Sequence, residues 1–220
     1  MSLTLYYHPL SSYCHKVLIA LYEHGVSFER RIIDLGNEAD RADLRAIWPL
    51  GKFPVIADHA RARNVAETSV IIEYLDHYYP GKGRLIPLGW HAALDARLWD
   101  RFFDLHVQGP MQEIVNDHFR DVHRDLTKER NALATAYAML EDRLEGRTWA
   151  AGEEFSLADC AAAPALFYAA TMVPFPQQFG QLAAYAERLM ERPSVQRVLE
   201  EAKPYFKMFP FVTAIPQRFR

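Results

Sequence analysis

The sequence contains little cysteine, no excess of either charge and no long hydrophobic run. Cys14 and Cys160 are the only cysteines among its 220 residues, whereas small secreted domains use closely spaced cysteines in even numbers. We therefore expect free thiols and a reducing compartment. The formal net charge of −3 predicts no nucleic-acid partner, because such a protein needs a basic face. The longest apolar stretch, 160–175, is interrupted by Pro164 and Pro174 and is too short to span a bilayer, so we expect a buried helix there.

The beginning of the chain has no basic region followed by an apolar core. Met1 is followed almost at once by the strand-like segment 3–7, so we expect no signal peptide, no membrane association and a cytoplasmic location. Hydrophobic residues make up 50% of the chain and charged residues 24%, which is the usual balance of a globular protein.

The first 80 residues alternate strand-like and helix-like segments. Segments rich in β-formers predict strands, and apolar residues at helical spacing predict helices. In chain order the predicted elements are a strand at 3–7, a helix at 13–24, a strand at 27–33, a helix at 39–47, strands at 54–57 and 63–66, and a helix at 70–78. This β-α-β-α-β-β-α order predicts an α+β domain with a small mixed sheet and helices on its faces.

Segment 81–89 is rich in glycine and proline and predicts a linker between domains. The pattern after it is helical throughout, with a long helix predicted at 90–119 and a kink or break at Gly109-Pro110. Further helices are predicted at 127–144, 156–171, 178–190 and 195–203. We therefore predict three parts, which are a mixed domain over 1–80, the linker 81–89 and an all-helical domain over 90–220.

Ser11 and Ser12 lie at the predicted turn from the first strand into the first helix. The N–H groups of a helix N-terminus and its partial positive charge stabilise a nearby anion such as a thiolate. A serine hydroxyl at this point is able to donate a hydrogen bond to a bound sulfur. Such a charge-assisted bond, worth roughly 1.5–3 kcal/mol, lowers a thiol pKa by about one to two units. The alternative is that either serine merely caps the helix.

Two further segments have the chemistry of a ligand-binding site. Pro54 stands just before an expected internal strand, where it has no N–H to give to the sheet. A cis Phe53-Pro54 bond would turn the main chain of Phe53 toward a ligand, and Lys52 would meet a carboxylate. Glu67 and Thr68, at the start of a helix, suit the ammonium and carboxylate groups of an α-amino acid. The alternatives are an ordinary turn with an exposed lysine and a helix N-cap with a favourable charge.

Together these segments resemble the glutathione-site motifs of the cytosolic glutathione transferases, and the resemblance covers essentially the whole chain. The matching motifs are Ser-x-x-Cys at 11–14, Gly-Lys-Phe-Pro-Val at 51–55, Glu-Thr-Ser-Val-Ile-x-x-Tyr-Leu at 67–75 and Phe-Ser-Leu-Ala-Asp at 155–159. The last of these looks like the family's helix-capping box, which has a folding role. The resemblance implies a thioredoxin-like first domain, an all-helical second domain and, as is usual in the family, a homodimer.

The resemblance also implies roles for individual residues, with glutathione as co-substrate and no metal. Carried over by position, Ser11 donates to the thiolate, and the main chain of Phe53 pairs with the cysteinyl part of glutathione. Lys52 holds the glycyl carboxylate, while Glu67 and Thr68 hold the γ-glutamyl end. The residues expected to bind glutathione are Ser12, Lys52, Phe53, Pro54, Glu67 and Thr68.

The activating residue separates members of the family. The segment 11–14, Ser-Ser-Tyr-Cys, resembles the Cys-Pro-Tyr-Cys of thiol-disulfide members with the first cysteine replaced by serine. We expect Cys14, one helical turn further on, to be a buried thiol, which disfavours glutaredoxin-like reduction. Tyr6 or Tyr7 is an alternative hydroxyl donor, but strand alternation lets only one of them face the site, and both are expected in the core or at an edge.

The reaction expected from the resemblance is conjugation, in which the glutathione thiolate attacks a small hydrophobic electrophile, as in detoxification. The double serine also resembles the zeta-type members, which isomerise maleyl acids with glutathione, although the continuation at 15–18 is less rich in arginine than theirs. A third alternative is a non-catalytic relative that uses the same fold as a binding or interaction module.

The second-substrate pocket is expected between the two domains, beside the first long helix of the second domain. Its candidate residues are Leu10, Phe103, His106, Val107 and Pro110. The last four share one face of a regular α-helix, although the same stripe is also typical of a core. The aromatic tail at 204–211 either covers this pocket or packs on the helical domain.

Overall fold

The computed structural model describes residues 2–81 and 83–220. Contacts between residues divide the chain into two compact units, Met1–Leu85 and Ile86–Arg220. The first unit contains a sheet with helices, and the second is helical.

The first unit is built on a four-stranded mixed sheet. Its elements are β1 (Leu3–Tyr7), α1 (Ser12–Glu23), β2 (Glu29–Ile32), α2 (Glu38–Ile47), β3 (Val55–Asp58), β4 (Arg63–Ala66) and α3 (Thr68–Tyr78). The strand order is β2-β1-β3-β4, with β1 and β2 parallel and the other neighbours antiparallel. The predicted β-α-β-α-β-β-α order is confirmed. β2 is shorter than the predicted 27–33 because its pairing with β1 runs only from Glu29 to Ile32.

The two central strands carry the core of this unit. Every residue of β3 is buried, and so is every residue of β1 except Tyr6, as expected for strands that are covered on both faces. Leu5 of β1 has no exposed surface. Leu44, the buried residue of α2, packs in a cluster with Ile33 and Val55. The sheet is therefore the rigid base from which the loops at its ends project.

Local chemistry accounts for the helix ends in this unit. Asn37 caps α2, because its side-chain oxygen accepts the N–H groups of Ala39 at 2.9 Å and Asp40 at 3.3 Å. Gly25, just beyond α1, has a φ of +65°, in the left-handed region that glycine adopts without strain. This explains why the first helix ends where the sequence predicts.

The second unit is a set of helices. These are α4 (Trp90–Phe102), α5 (Gly109–His118), α6 (Thr127–Leu144), α7 (Leu157–Met172), α8 (Gly180–Glu191) and α9 (Pro193–Ala202). Short 3₁₀ turns follow at Lys203–Met208, Val212–Ala214 and Gln217–Phe219. The prediction of a helical second domain is confirmed, and α6 has the predicted bounds.

The helix predicted at 90–119 is interrupted by a π-helical segment, Phe103–Gln108. Pro110 lacks the N–H that an α-helix would direct to the carbonyl of residue 106. The N–H of Gly109 instead bonds to the carbonyl of Asp104, five residues earlier, which is the π-helical pattern. The break expected at Gly109-Pro110 therefore lies in the turn before these residues. The side chains that precede this turn and those that follow it no longer have the relative positions that a continuous α-helix would give them.

α7 is the most buried helix of this unit. Ser156 is its N-cap and forms the expected capping box with Asp159. The carboxylate of Asp159 also accepts the N–H of Ala150 at 3.0 Å and the hydroxyl of Tyr185 at 2.6 Å. One buried carboxylate thus joins α7 to a preceding loop and to α8.

The aromatic tail packs on α7. The ring of Phe209 lies 5.1 Å from that of Tyr168, and the ring of Phe206 lies 6.1 Å from that of Phe167, measured between centroids. Phe206 and Phe209 are both buried. Of the two alternatives for the tail, the structure supports packing on the helical domain.

Candidate functional site

Three of the predicted segments come together at one end of the sheet. The register places Tyr6, Val55 and Ala66 side by side on β1, β3 and β4. Because β1 and β4 end there and β3 begins there, the serine turn, the Phe53-Pro54 bond and the Glu67-Thr68 step extend from neighbouring strand ends. The strand pairing therefore assembles one candidate site from segments that are far apart in the sequence.

Ser11 is the N-cap of α1, and its side chain is half-buried. Its N–H donates to the carbonyl of His8 at 3.0 Å, and its Oγ accepts the N–H of Cys14 at 3.4 Å. A hydroxyl carries one hydrogen and two lone pairs, so accepting this bond leaves its hydrogen to be donated elsewhere. Capping of α1 and donation to a bound sulfur are therefore compatible roles for the same hydroxyl. Ser12, in the first turn of α1, is buried.

The turn that carries Ser11 is held by two histidines that the sequence analysis missed. The buried His15 donates its Nε2–H to the carbonyl of Pro9 at 2.6 Å. The Nδ1 of His8 accepts the N–H of Leu10 at 3.2 Å, and its ring stacks on Phe53 with centroids 6.3 Å apart. Burial lowers the pKa of His8, although the charge of Asp34 opposes this. The only sign of such roles in the sequence is that both histidines lie within four residues of Ser11.

Cys14 is a thiol enclosed in the core of the first unit. It has no exposed surface, and burial raises its pKa to about 12, although the nearby side chain of Ser11 and the backbone at His8 act in the opposite direction. A thiol of this kind carries almost no thiolate at neutral pH. The structure thus agrees with the expectation that Cys14 is buried rather than nucleophilic.

The Phe53-Pro54 peptide bond is cis, as the sequence predicts. Pro54 is buried, Phe53 is half-buried against the cluster that contains Val55, and Lys52 is exposed. The lysine is therefore accessible to an anionic group at this end of the sheet.

Glu67 occupies the N-cap position of α3 but does not cap it with its side chain. Its φ of +67° lies in the left-handed region, which is unusual for a residue other than glycine and marks a constrained position. The side chain is exposed, while Thr68 beside it is buried. Because the carboxylate of Glu67 makes no capping bond, the simple N-cap alternative does not account for this residue.

The residues predicted for the second substrate do not share one face in the structure. Phe103 and Val107 have no exposed surface, so for these two residues the structure supports the alternative of a stripe that belongs to the core. The π-helical turn is the reason, since it breaks the 3.6-residue periodicity on which the prediction depended. His106 and Pro110 line a mostly apolar groove of about 350 Å³ between the π segment and α6. Leu10 is half-buried in the first unit and stays a prediction.

Neither a metal cluster nor a membrane-crossing helix occurs in residues 2–81 and 83–220. Histidine, cysteine, aspartate and glutamate do not gather there in groups of three or more that could hold a metal ion. None of the helices in this part of the chain combines the length and the hydrophobicity that a bilayer crossing needs.

A thioredoxin-like sheet with a serine-capped helix beside a cis-proline, followed by a helical unit, is the arrangement of a glutathione transferase. The chain belongs to the glutathione S-transferase family. Residues 5–83 match the sequence model of the glutathione S-transferase N-terminal domain, and residues 102–193 match that of the C-terminal domain.

The proteins similar to this chain include some that are named as transferases and some that are not. A probable glutathione S-transferase of Glycine max is 28% identical over 206 residues, which cover 90% of this chain and 88% of the relative. A stringent starvation protein A homolog of Coxiella burnetii is also 28% identical, covering 91% of this chain and 93% of the relative. The crystal structure of a glutathione S-transferase from Methylobacillus flagellatus with glutathione bound superposes with a TM-score of 0.80 at 27% identity, over 90% of this chain and 98% of that one.

Proposed function

We propose that this protein binds glutathione and activates its thiol for attack on a small hydrophobic electrophile. The observation that carries the proposal is the position of Ser11, whose Oγ accepts the N–H of Cys14 and so leaves its hydrogen to be donated. The sulfur of glutathione would receive this hydrogen bond in addition to the positive end of the α1 dipole.

The chemical step follows from the properties of a thiolate. The thiol of glutathione releases its proton to solvent, and the hydroxyl of Ser11 donates to the resulting anion, which lowers the thiol pKa. The sulfur lone pair then forms a C–S bond to the electrophilic carbon while the leaving group departs with its electron pair. Cys14 takes no part in this step, because its own thiol is buried and protonated.

The remaining residues of the proposal hold the tripeptide. The exposed Lys52 binds the glycyl carboxylate, and the main chain of Phe53 pairs with the cysteinyl residue. Glu67 binds the γ-glutamyl ammonium, and Thr68 binds its carboxylate at the N-terminus of α3. The glutathione-bound structure of the Methylobacillus flagellatus relative supports this choice of ligand. We also propose the domain bounds 1–80 and 90–220 with a linker at 81–89, a homodimer and a cytoplasmic location.

A second candidate is a glutathione transferase fold without transferase activity. It is favoured by the similarity to the stringent starvation protein A homolog of Coxiella burnetii, a protein that is not named as a transferase. The chemical types of Ser11, Lys52, Glu67 and Thr68 favour the enzyme, because a module that only binds a protein has no use for this set.

The test begins with retention on immobilised glutathione and continues with ultraviolet titration of the bound thiol. We expect retention, a thiol pKa below that of free glutathione, and return of this pKa to its free value in Ser11→Ala. Cys14→Ala is the control and should behave as the unmodified protein does. No retention would support the non-catalytic candidate, and loss of activity in Cys14→Ala but not in Ser11→Ala would refute the assignment of Ser11. A panel of aryl halides, isothiocyanates, peroxides and maleyl acids then separates conjugation from peroxidase or isomerase activity.

A further inference from the structure

His8 holds two successive amide groups of the turn that leads into Ser11. The N–H of Ser11 donates to the carbonyl of His8 at 3.0 Å, and the N–H of Leu10 donates to the Nδ1 of its ring at 3.2 Å. The second bond has the pattern of an Asx turn, with an imidazole nitrogen in place of an amide oxygen. One residue, by its backbone and its ring, therefore fixes both peptide units that precede Ser11.

The hydroxyl of Ser11 depends on this turn for its position. The bond that its Oγ accepts from the N–H of Cys14 is 3.4 Å long, which exceeds the usual range of roughly 2.7–3.2 Å, so the cap alone holds the hydroxyl weakly. The ring of His8 also stacks on that of Phe53, with centroids 6.3 Å apart. His8 thus contacts the serine turn and the segment that contains the cis peptide bond.

The bond from Leu10 to the ring of His8 requires an unprotonated Nδ1. A backbone N–H always donates, so Nδ1 accepts with its lone pair and the neutral ring carries its hydrogen on Nε2. A second proton on the ring occupies the lone pair of Nδ1 and removes this acceptor, whatever Nε2 contacts. His15 differs from His8, because it donates to the carbonyl of Pro9 and keeps that bond when it is protonated.

We propose that His8 is a positioning residue for Ser11, and that a proton on its Nδ1 reduces the activation of the bound glutathione thiol. This inference rests on the proposed function. The loss of one neutral hydrogen bond changes an equilibrium by a factor of about two to ten. Protonation of His8 should therefore lower kcat at saturating glutathione by about two- to tenfold, in addition to the fall that protonation of the thiol itself causes.

The surroundings of His8 determine the pH of this transition. The titratable side chains of the segments around it belong to Asp34 after β2, Cys14 and His15 in α1, and Lys52 beside Phe53. Burial has the largest effect and lowers the pKa of His8, and the charge of Asp34 opposes it. Cys14, with a pKa of about 12, keeps its proton throughout. We therefore expect full activation above the ordinary histidine pKa of about 6.5 and a loss as the pH falls through the lower pKa of the folded protein.

Two replacements separate the acceptor of His8 from its ring. His8→Asn places an amide oxygen where Nδ1 lies, so it accepts the N–H of Leu10 but does not titrate. His8→Phe keeps a ring against Phe53 and has no acceptor. The measurement is kcat at saturating glutathione from about pH 5 to pH 8, with a compound of the electrophile panel that the unmodified protein conjugates. If it conjugates none, the absorbance of the bound thiolate is measured over the same range.

We expect two ionisations in the unmodified protein, that of the thiol and that of His8. His8→Asn should show only the first and should recover kcat at pH 8 to within about twofold, whereas His8→Phe should be about two- to tenfold lower at that pH. In the Ser11→Ala background, His8→Phe should change kcat by less than about twofold, because no hydroxyl is left to position. His91→Asn, at an exposed histidine of α4, is the matched control and should behave as the unmodified protein does.

The outcomes separate this inference from the function on which it rests. A second ionisation that persists in His8→Asn would overturn it, and so would equal losses in His8→Asn and His8→Phe, which would assign the effect to stacking on Phe53. A single ionisation in an unmodified protein that is retained on immobilised glutathione overturns the inference alone. No retention means that the proposed function fails and the inference fails with it. Thermal unfolding shows which variants are folded, and if His8→Phe is not, the pH profiles of the unmodified protein and His8→Asn still decide.

Discussion

The Oγ of Ser11 lies 3.4 Å from the backbone nitrogen of Cys14 and accepts its N–H, so one hydroxyl caps α1 and keeps its hydrogen for another acceptor. These two roles contribute to different measurable quantities. The cap contributes to the free energy of unfolding, and under the proposed function the hydrogen would lower the thiol pKa of bound glutathione.

Replacement of Ser11 should separate the two roles. Ser11→Ala removes both, so we expect a loss of about 0.5–2 kcal/mol in unfolding free energy and a rise of roughly one to two units in the pKa of the bound thiol. Ser11→Asp restores a capping oxygen but donates no hydrogen and repels a thiolate. It should therefore recover stability in urea unfolding without recovering the low thiol pKa. Recovery of both would show that the cap alone is responsible.

The two cysteines should be unreactive in the folded protein. Cys14 and Cys160 are fully buried free thiols, and with a pKa of about 12 Cys14 has a thiolate fraction on the order of 10⁻⁴ at pH 8. We expect an aromatic disulfide reagent to label neither cysteine over minutes in native buffer and both in denaturant. Rapid native labelling at Cys14, located by mass spectrometry, would contradict the buried, protonated thiol.

Asp58 should make the stability of the first unit depend on pH. Its carboxylate accepts the hydroxyls of Tyr79 at 2.6 Å and Tyr74 at 2.7 Å and an N–H of Arg61 at 3.2 Å. Burial alone would raise the pKa of Asp58, but these bonds outweigh it and hold the pKa below the usual value. A depressed folded pKa contributes stability above the unfolded pKa of about 3.9, and this contribution is lost as the pH falls through the folded pKa.

We therefore expect Asp58→Asn to reduce the unfolding free energy by about 2–3 kcal/mol at pH 7, with the difference from the unmodified protein shrinking below pH 4. Urea unfolding at several pH values measures it. Glu200→Gln is the control, because its surface pair with Lys203 should contribute less than about 1 kcal/mol. A difference for Asp58→Asn that stays constant from pH 7 to pH 3 would contradict the linkage.

Gly81 and Gly83 should respond differently to alanine. A Cβ at Gly81 would lie 2.4 Å from the Cα of His24 and 2.7 Å from its carbonyl oxygen, whereas a Cβ at Gly83 meets nothing within 4 Å. The N–H of Gly81 also donates to the Nδ1 of His24 at 3.1 Å. We expect Gly81→Ala to cost about 1–3 kcal/mol because backbone must shift, and Gly83→Ala to stay within about 0.5 kcal/mol. Equal thermal midpoints would show that the close approach is not a constraint.

Local patterns predicted most of the fold because they reflect interactions between near neighbours. The bounds of β1, β4 and α6 agree with the sequence prediction, since apolar periodicity and the residues at their ends set them. The cis Phe53-Pro54 bond was predictable because a proline has no N–H to give to an internal strand. The candidate site was predictable because three segments indicated it. Each segment alone is weak evidence for a binding site, and the three together are strong evidence.

Packing between distant segments was not predictable in this way. The π-helical turn at Phe103–Gln108 places Phe103 and Val107 in the core, and nothing in the 3.6-residue pattern signals an inserted residue. The stacking of His8 on Phe53 and the contact of Lys16 with Ser69 join residues that are 45 and 53 positions apart. Such contacts depend on how the elements pack, so the sequence gives no direct sign of them.

The amino-acid sequence by itself determined the class of the protein, because side-chain periodicity, caps and glycine or proline positions are properties of short segments. It also identified the serine turn, the Lys52-Phe53-Pro54 segment and the Glu67-Thr68 step as one set. Only the tertiary structure decided that these segments share one sheet end, that Cys14 has its pKa raised by burial, and that a buried ammonium lies at the start of α3. Desolvation and strand pairing are collective effects, and they act only once distant parts of the chain are in contact.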